Sequence, residues 1–280
     1  MRLLGRRVTA PALLGAAGLA AFLAMALAAP WLSPHDPAEA HLLDRLRPPA
    51  FLGGDPEYPL GTDHLGRDML SRLLHGSRVA LAVGFAGVLL AATAGITLGL
   101  VSGYFGGAVD AVIMRLVDTL IAIPNVLLYL TVLGVFGPGF GVLVGVIGFV
   151  NWTTFARVVR AEVLSVRSRE YVEAARALGQ RTPLMLLRHV LPNVVGPIIV
   201  VATLSVATVI ILEASLSYLG LGVQPPAVTW GRMLADGRNY VATAWWLATF
   251  PGLFITALCL SLILVGDWLR DAFDPRLRGE

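Results

Sequence analysis

The strongest constraint on this chain is the length and number of its apolar runs. Six stretches carry few charges: Val8–Leu32, Val79–Ser102, Val117–Phe136, Gly141–Val159, Gly196–Leu216 and Ala244–Val265. A helix needs about 20 mostly apolar residues to cross a bilayer. A chain in lipid must satisfy every backbone N–H and C=O internally, so runs of this length fold as helices. The composition agrees, with 56% hydrophobic and 14% charged residues. Soluble domains carry about 25% charged residues. The expected fold class is therefore an all-α membrane protein with six transmembrane helices.

The first run has two readings. Arg6-Arg7, an apolar stretch and Ala26-Leu27-Ala28 resemble a cleavable signal peptide. The apolar run nevertheless exceeds the usual signal core of about 7–15 residues, which favours a retained anchor. Arginine bias sets the expected orientation. With the N-terminus inside, fourteen of the 21 basic residues fall in inner segments and seven in outer ones. Both termini, and the Arg-rich stretch after the fourth run, are thus expected on the cytoplasmic side. The segments expected are an N-terminal tail and first helix (1–32), an outer loop (33–78) and a core of five further helices (79–280) containing an inner loop at 161–195.

The outer loop ends in "GTDHLGRDMLSRLLHGSR". This reads as an amphipathic helix capped by Thr62 or Asp63, with Leu65, Met69, Leu70, Leu73 and Leu74 on one side. The segment Ser217–Thr243 is too rich in Gly and Pro for a span. All 21 basic residues are arginine. Without lysine the chain has neither a P-loop nor a Schiff-base amine. If ATP drives it, another chain hydrolyses the ATP. The single cysteine, Cys259, excludes an intrachain disulfide and a Cys-based metal cluster.

One charged interruption stands out, "SREYVEAARALGQRTPLMLLRHVLPN", Ser168–Asn193. Its first part suits a short helix. Gly179 sits where a left-handed C-cap is expected. Thr182-Pro183 reads as N-cap and first residue of a second helix ending before Pro192. Ala174, Ala175 and Ala177 make one side of the first helix narrow, and Glu173, Arg176 and Gln180 share a polar face. Leu184–Leu187 is too apolar to leave wholly exposed. Two roles fit: an interfacial helix lying on anionic lipid, or a surface buried against other helices of the chain or against another subunit.

The same residues carry a resemblance. Glu173-Ala174-Ala175, Gly179 after three intervening residues, and Leu191-Pro192 match the spacing of the EAA loop of bacterial ABC importer permeases, in which nine residues separate the Gly from an apolar position. His189 departs from the apolar position of that pattern, with Val190 beside it. "PLGTDHLGRDMLSRLLHGSRVAL" and "ILEASLSYLGLGVQPPAVTWGRML" are similar to the C-type permease of dipeptide/oligopeptide/nickel importers. The resemblance covers essentially the whole chain. It implies the type I ABC importer permease fold, with the EAA loop as coupling helix. Glu173, Ala174, Ala175, Arg176, Gly179, Leu191 and Pro192 would then couple to an ATPase. It further implies a homologous permease partner, two cytoplasmic ATPases that use ATP and Mg, an extracytoplasmic solute-binding protein, and a bacterial inner membrane. Alternating access, not catalysis, would be the mechanism. No cofactor bound by this chain and no nucleic acid is implied. An ion-gradient-driven transporter is the alternative, although its usual paired acids and matching broken helices in two inverted halves are not evident.

Some residues remain open. Glu213, an acid in an apolar span, either lines the translocation path or is a hydrogen-bonded structural acid. Pro124 kinks the third span, and Asn125 beside it bonds freed backbone, packs, or lines the path. Arg115 and Asp118 have the spacing of a helical ion pair. "LVGDW" lacks the Gly-x-Gly-Asp of intramembrane aspartyl proteases, because Leu264 stands at the first Gly. His35 with Glu39 and His64 with Asp68 read as surface ion pairs rather than zinc sites. Trp230, Trp245, Trp246 and Trp268 read as interfacial anchors.

Overall fold

A computed structural model describes residues 9–273, together with the backbone of residues 2–3 and 6–7, which pair as a short antiparallel ladder. Arg276 and Arg278 lie outside the described residues, as do the side chains of Arg2, Arg6 and Arg7. The main elements of the rest are helices: α1 (Ala10–Leu32), α2 (Met69–Phe105), α3 (Gly107–Ala122), α4 (Asn125–Phe136), α5 (Phe140–Arg167), α6 (Glu170–Ala177), α7 (Thr182–Met185), α8 (Leu191–Tyr218), α9 (Trp230–Gly237) and α10 (Trp246–Phe273). Among the described residues, five helices, α1, α2, α5, α10 and the continuous Thr182–Tyr218, are long and apolar enough to cross a membrane. The expected all-α fold is present.

The bundle is organised on a seam between α2 and α5. In lipid no hydrophobic force draws two apolar helices together, so close approach through small residues must hold them. Gly95, Gly99 and Gly103 of α2 provide that approach. A Cβ added at Gly95 would lie 2.5 Å from Trp152 O and from Phe155 Cβ, and one at Gly99 would lie 2.7 Å from Ala156 O. At Gly103 the nearest atom would be Val163 Cβ, at 2.8 Å. The partner numbers rise together along both helices, from Gly87 against Ile147 to Gly103 against Val163. The two helices therefore run parallel.

Parallel neighbours oblige the chain between them to return to the starting end. That return is the work of α3 and α4, which meet at 83° around Ile123-Pro124. At about 1.5 Å per residue, α3 is about 24 Å long and α4 about 18 Å, each short of the ~30 Å hydrocarbon layer. Their contacts climb α5 steadily. Asp110 meets Arg160, Asp118 meets Arg157 at 2.7 Å, and the Tyr129 hydroxyl accepts from Asn151 Nδ2 at 3.1 Å. The pair is thus one broken crossing, giving six. The predicted kink at Pro124 is a full break, because Pro124 has no N–H and the residue before it disfavours the α region. The predicted Arg115–Asp118 pair does not form, since Asp118 faces α5 and takes Arg157.

Four other expectations change. The outer amphipathic segment is not a separate helix capped by Thr62 or Asp63. Gly66 at φ +77° and a Thr62–Asp68 bridge turn the chain there. The helix begins at Met69, capped by Asp68, whose carboxylate accepts from Ser71 N–H at 2.8 Å and Ser71 Oγ–H at 2.6 Å. It then runs without interruption into the second span, burying Met69, Leu73 and Leu74. Pro192 likewise does not stop the preceding helix. A wide π turn, Leu186–Val190, absorbs the proline and joins α7 to α8. Trp230 and Trp246 are not membrane-surface anchors. Both are buried, with Nε1–H donated to Leu73 O at 3.0 Å and to Thr62 O at 3.2 Å. These bonds tie α9 to the start of α2 and α10 to the outer loop. Nor do the histidines pair as predicted. His35 stacks on Tyr58 with Nε2 3.5 Å from Glu57, and His64 stacks on Tyr240.

The remaining packing is antiparallel. α10 lies on α8, with a Cβ at Gly266 reaching Leu204 at 2.7 Å, and on α1, where Gly15 faces Ser261 and Leu264. If the glycine seam holds the bundle, Gly95→Leu will overpack it, at a cost of about 1–3 kcal/mol. Its thermal midpoint in detergent should fall clearly. Gly145→Ala, where an added Cβ meets nothing within 4 Å, should leave the midpoint unchanged or raise it. Equal midpoints for the two variants would remove the seam from its organising role.

Candidate functional site: the α6–α7 hairpin

α5 ends at Arg167, and within three residues the chain starts α6. One face of α6 turns inward. Val172 is fully buried, in a cluster with Val163, Val166, Met185, Val190 and Val194, and Ala175 is nearly buried. The opposite face is open, exposing Glu173, Ala174, Arg176 and Ala177. Ala175 therefore packs inside its own chain, while Ala174 and Ala177 are the small residues left for a partner.

The corner is fully hydrogen-bonded. Gly179 N–H donates to Arg176 O at 3.0 Å, and Gln180 N–H donates to Ala175 O at 3.2 Å. This is the paired bonding of a Schellman cap, which needs a left-handed residue at its centre. Gly179 supplies it at φ +75°. Beyond the corner Met185 is buried, whereas Leu184 and Leu187 stay exposed. Leu178 at the tip is 88% exposed. The hairpin thus presents charged residues beside uncovered leucines. Gln180 does not share the polar face of Glu173 and Arg176. Its Oε1 lies 3.0 Å from His189 Nε2, across the corner. Val190, next to His189, is buried and fills the apolar position. Leu191 is half-buried and Pro192 exposed.

The hairpin is tied to the bundle by residues that sequence reasoning did not single out. Arg167 Nη1 donates to Gly103 O at 2.8 Å, joining the ends of α2 and α5. The Tyr104 ring lies under the Arg176 guanidinium at 5.6 Å, and its hydroxyl is 3.1 Å from Met185 Sδ. One tyrosine from α2 thereby touches both arms of the hairpin. A short way up the bundle, Arg160 grips Asp110 with two bonds of 2.5 and 2.7 Å, and Ser102 Oγ–H donates to the same carboxylate at 2.5 Å. Apart from Ser102 and Asp110, which are eight residues apart, these partners are separated by tens of residues in sequence, so no local pattern marks them.

The other two candidates lie apart from the hairpin. Glu213 is 1% exposed, where α8 meets α9, and accepts from Ser217 Oγ–H at 2.6 Å. Asn125 is exposed in the first turn of α4, just past the break.

Comparison with known proteins adds to this geometry. The family described as "Binding-protein-dependent transport system inner membrane component" matches residues 95–279, and "N-terminal TM domain of oligopeptide transport permease C" matches residues 10–49. The chain is 44% identical to the "Di/tripeptide transport system permease protein DppC" of Pseudomonas aeruginosa, over 90% of this chain and 84% of that protein. It is 41% identical to the "Glutathione transport system permease protein GsiD" of Pectobacterium atrosepticum, over 94% of this chain and 87% of that protein. Among solved structures, the inward-facing MetNI methionine ABC transporter matches with a TM-score of 0.59 at 18% identity, covering 74% of this chain and 98% of that one. The fold is that of an ABC importer transmembrane subunit. Six crossings arranged on a glycine seam, an EAA hairpin at one end and identities above 40% along nearly the whole chain lead to one conclusion: this chain belongs to the family of binding-protein-dependent transport system inner membrane components, as a permease.

Proposed function

We propose that the chain forms half of the translocation path of a peptide importer, and that the α6–α7 hairpin couples it to a cytoplasmic ATPase. The carrying observation is the split of α6. Val172 and Ala175 anchor it to the bundle while Glu173, Ala174, Arg176, Ala177 and Leu178 remain uncovered around a rigid corner. An exposed leucine beside charges suits a protein groove better than water. The lysine-free sequence supports the same division of labour, with ATP and Mg handled by two separate ATPases.

In this reading ATP binding draws the ATPases together, the hairpins move with them, and the helices re-aim the cavity between the two sides. A homologous permease completes the path, and an extracytoplasmic binding protein delivers cargo. The chain itself catalyses no reaction. The name of the 44%-identical relative supports small peptides as cargo, and that of the 41%-identical one supports glutathione, itself a peptide. Arginine bias supports an inward-facing hairpin and termini in a bacterial inner membrane. Nothing favours the ion-gradient alternative.

Gly179→Leu tests the corner. A side chain at a left-handed position costs about 1–2 kcal/mol, and the added Cβ meets nothing within 4 Å, so only backbone strain is introduced. The variant, like Glu173→Ala, should fold and insert normally but recover markedly less ATPase on co-purification and lose most peptide uptake. Full recovery and full uptake in both variants would dismiss the hairpin as the coupling element. Orientation is checked with a single cysteine at Ser168 in a Cys259→Ser background. A membrane-impermeant maleimide should label it only after the cells are opened. Labelling in intact cells would invert the topology.

A further inference from the structure

At the end of the bundle opposite the hairpin, a cavity of about 390 Å³ opens between the outer loop, the start of α2 and the 225–232 segment. Its charged lining is entirely basic: Arg67, Arg72 and Arg232. Pro37, Pro226 and Val228 give it apolar walls, and Thr229 adds a hydroxyl. The arginines are not equivalent. Arg67 is held by Asp63 at 2.6 Å and Asp236 at 3.4 Å. Arg72 is 4% exposed; its Nε faces Asp63 at 3.5 Å without a hydrogen bond, its Nη1 donates to Pro37 O at 3.3 Å, and its Nη2 lies 4.0 Å from Asp236. Among the described residues, Arg232 has no carboxylate within ion-pair distance. Three guanidinium groups against two neighbouring carboxylates leave a net positive charge in a partly enclosed space. The groove continues past Pro226 to a second hollow of about 400 Å³ lined by His75 and Arg78, again without an acid.

We propose that this cavity is a carboxylate-binding site and that its occupant is the free C-terminal carboxylate of a small peptide waiting at the outer mouth of the path. Guanidinium groups recognise carboxylates by paired, charge-assisted bonds. The volume lies in the range of about 300–1,000 Å³ typical of small-ligand pockets. Apolar walls beside the arginines suit the side chain next to that carboxylate. Arg67 and Arg72 form the fixed, acid-braced floor, and Arg232 is the arm free to close on the ligand. This inference rests on the peptide-importer reading given above.

The test uses the assembled permeases and ATPases in nanodiscs, without the binding protein. Alanyl-phenylalanine and its C-terminal amide are titrated by saturation-transfer NMR. The free acid should bind at least about tenfold more tightly than the amide, the scale of one lost charge-assisted bond. Arg232→Gln should abolish that preference, and Arg232→Lys should restore part of it. Equal affinity for acid and amide in the unaltered protein, or a preference that survives Arg232→Gln, would overturn the site while leaving the importer reading intact. So would unchanged peptide affinity with weakened docking of the peptide-free binding protein, which would assign the cavity to an acidic side chain of that protein. Absence of ATP-driven peptide uptake by the complete transporter would overturn the underlying reading, and the site with it.

Discussion

Everything in this bundle depends on the contact between α2 and α5. In a bilayer the lipid competes for apolar surface as well as any side chain does, so helices stay together only where they fit more closely than lipid can. Gly95, Gly99 and Gly103 supply that fit by letting the α5 backbone approach the α2 backbone. Because the two helices run parallel, the seam dictates the rest of the topology. The linking segment has to cross back, and it does so as two half-length helices instead of one. The Asp110–Arg160 and Asp118–Arg157 pairs then fix α3 against α5. The second is uncovered in the single chain and rests on one bond. The first has two bonds and a serine donor, and fixes geometry more firmly.

The seam also bears on the lever role proposed for the hairpin. Its base is where α2 and α5 end together, bound by Arg167 to the carbonyl of Gly103. Tyr104, the next residue of α2, reaches both arms. Displacement of the hairpin is therefore felt by the two helices that define the bundle. The two arms are joined differently. α6 connects to α5 through a short turn, while α7 passes through the π turn into α8 without a break.

Much of this was legible in the sequence. Six apolar runs gave six crossings, since run length and hydropathy depend on no tertiary contact. Gly179 announced its corner because a left-handed residue is a local requirement. The EAA pattern located the hairpin. What could not be read was everything settled between distant residues. The helix read at the end of the outer loop is continuous with the span after Val79 because the outer loop takes up Arg72 at Pro37 O and His75 at Ser33 Oγ, while Ser77 bonds back to Leu74 O inside the helix. Trp230 resembled an interface anchor by composition, yet it fills a core position against Gly76 and donates to Leu73. Pro192 signalled an end that a widened turn avoids. Ala175 and Gln180 shared apparent faces with their neighbours until packing assigned them elsewhere.

The elbow between α3 and α4 has one more consequence. It sits near the middle of α5 in height, as the contacts of Asp118 and Tyr129 with Arg157 and Asn151 show. Residues 121–127 are all uncovered in the single chain. Peptide groups freed from a helix at that depth cannot face hydrocarbon tails. The elbow must look onto hydration or onto a second subunit, so this one interruption marks the side of the bundle that is turned away from lipid.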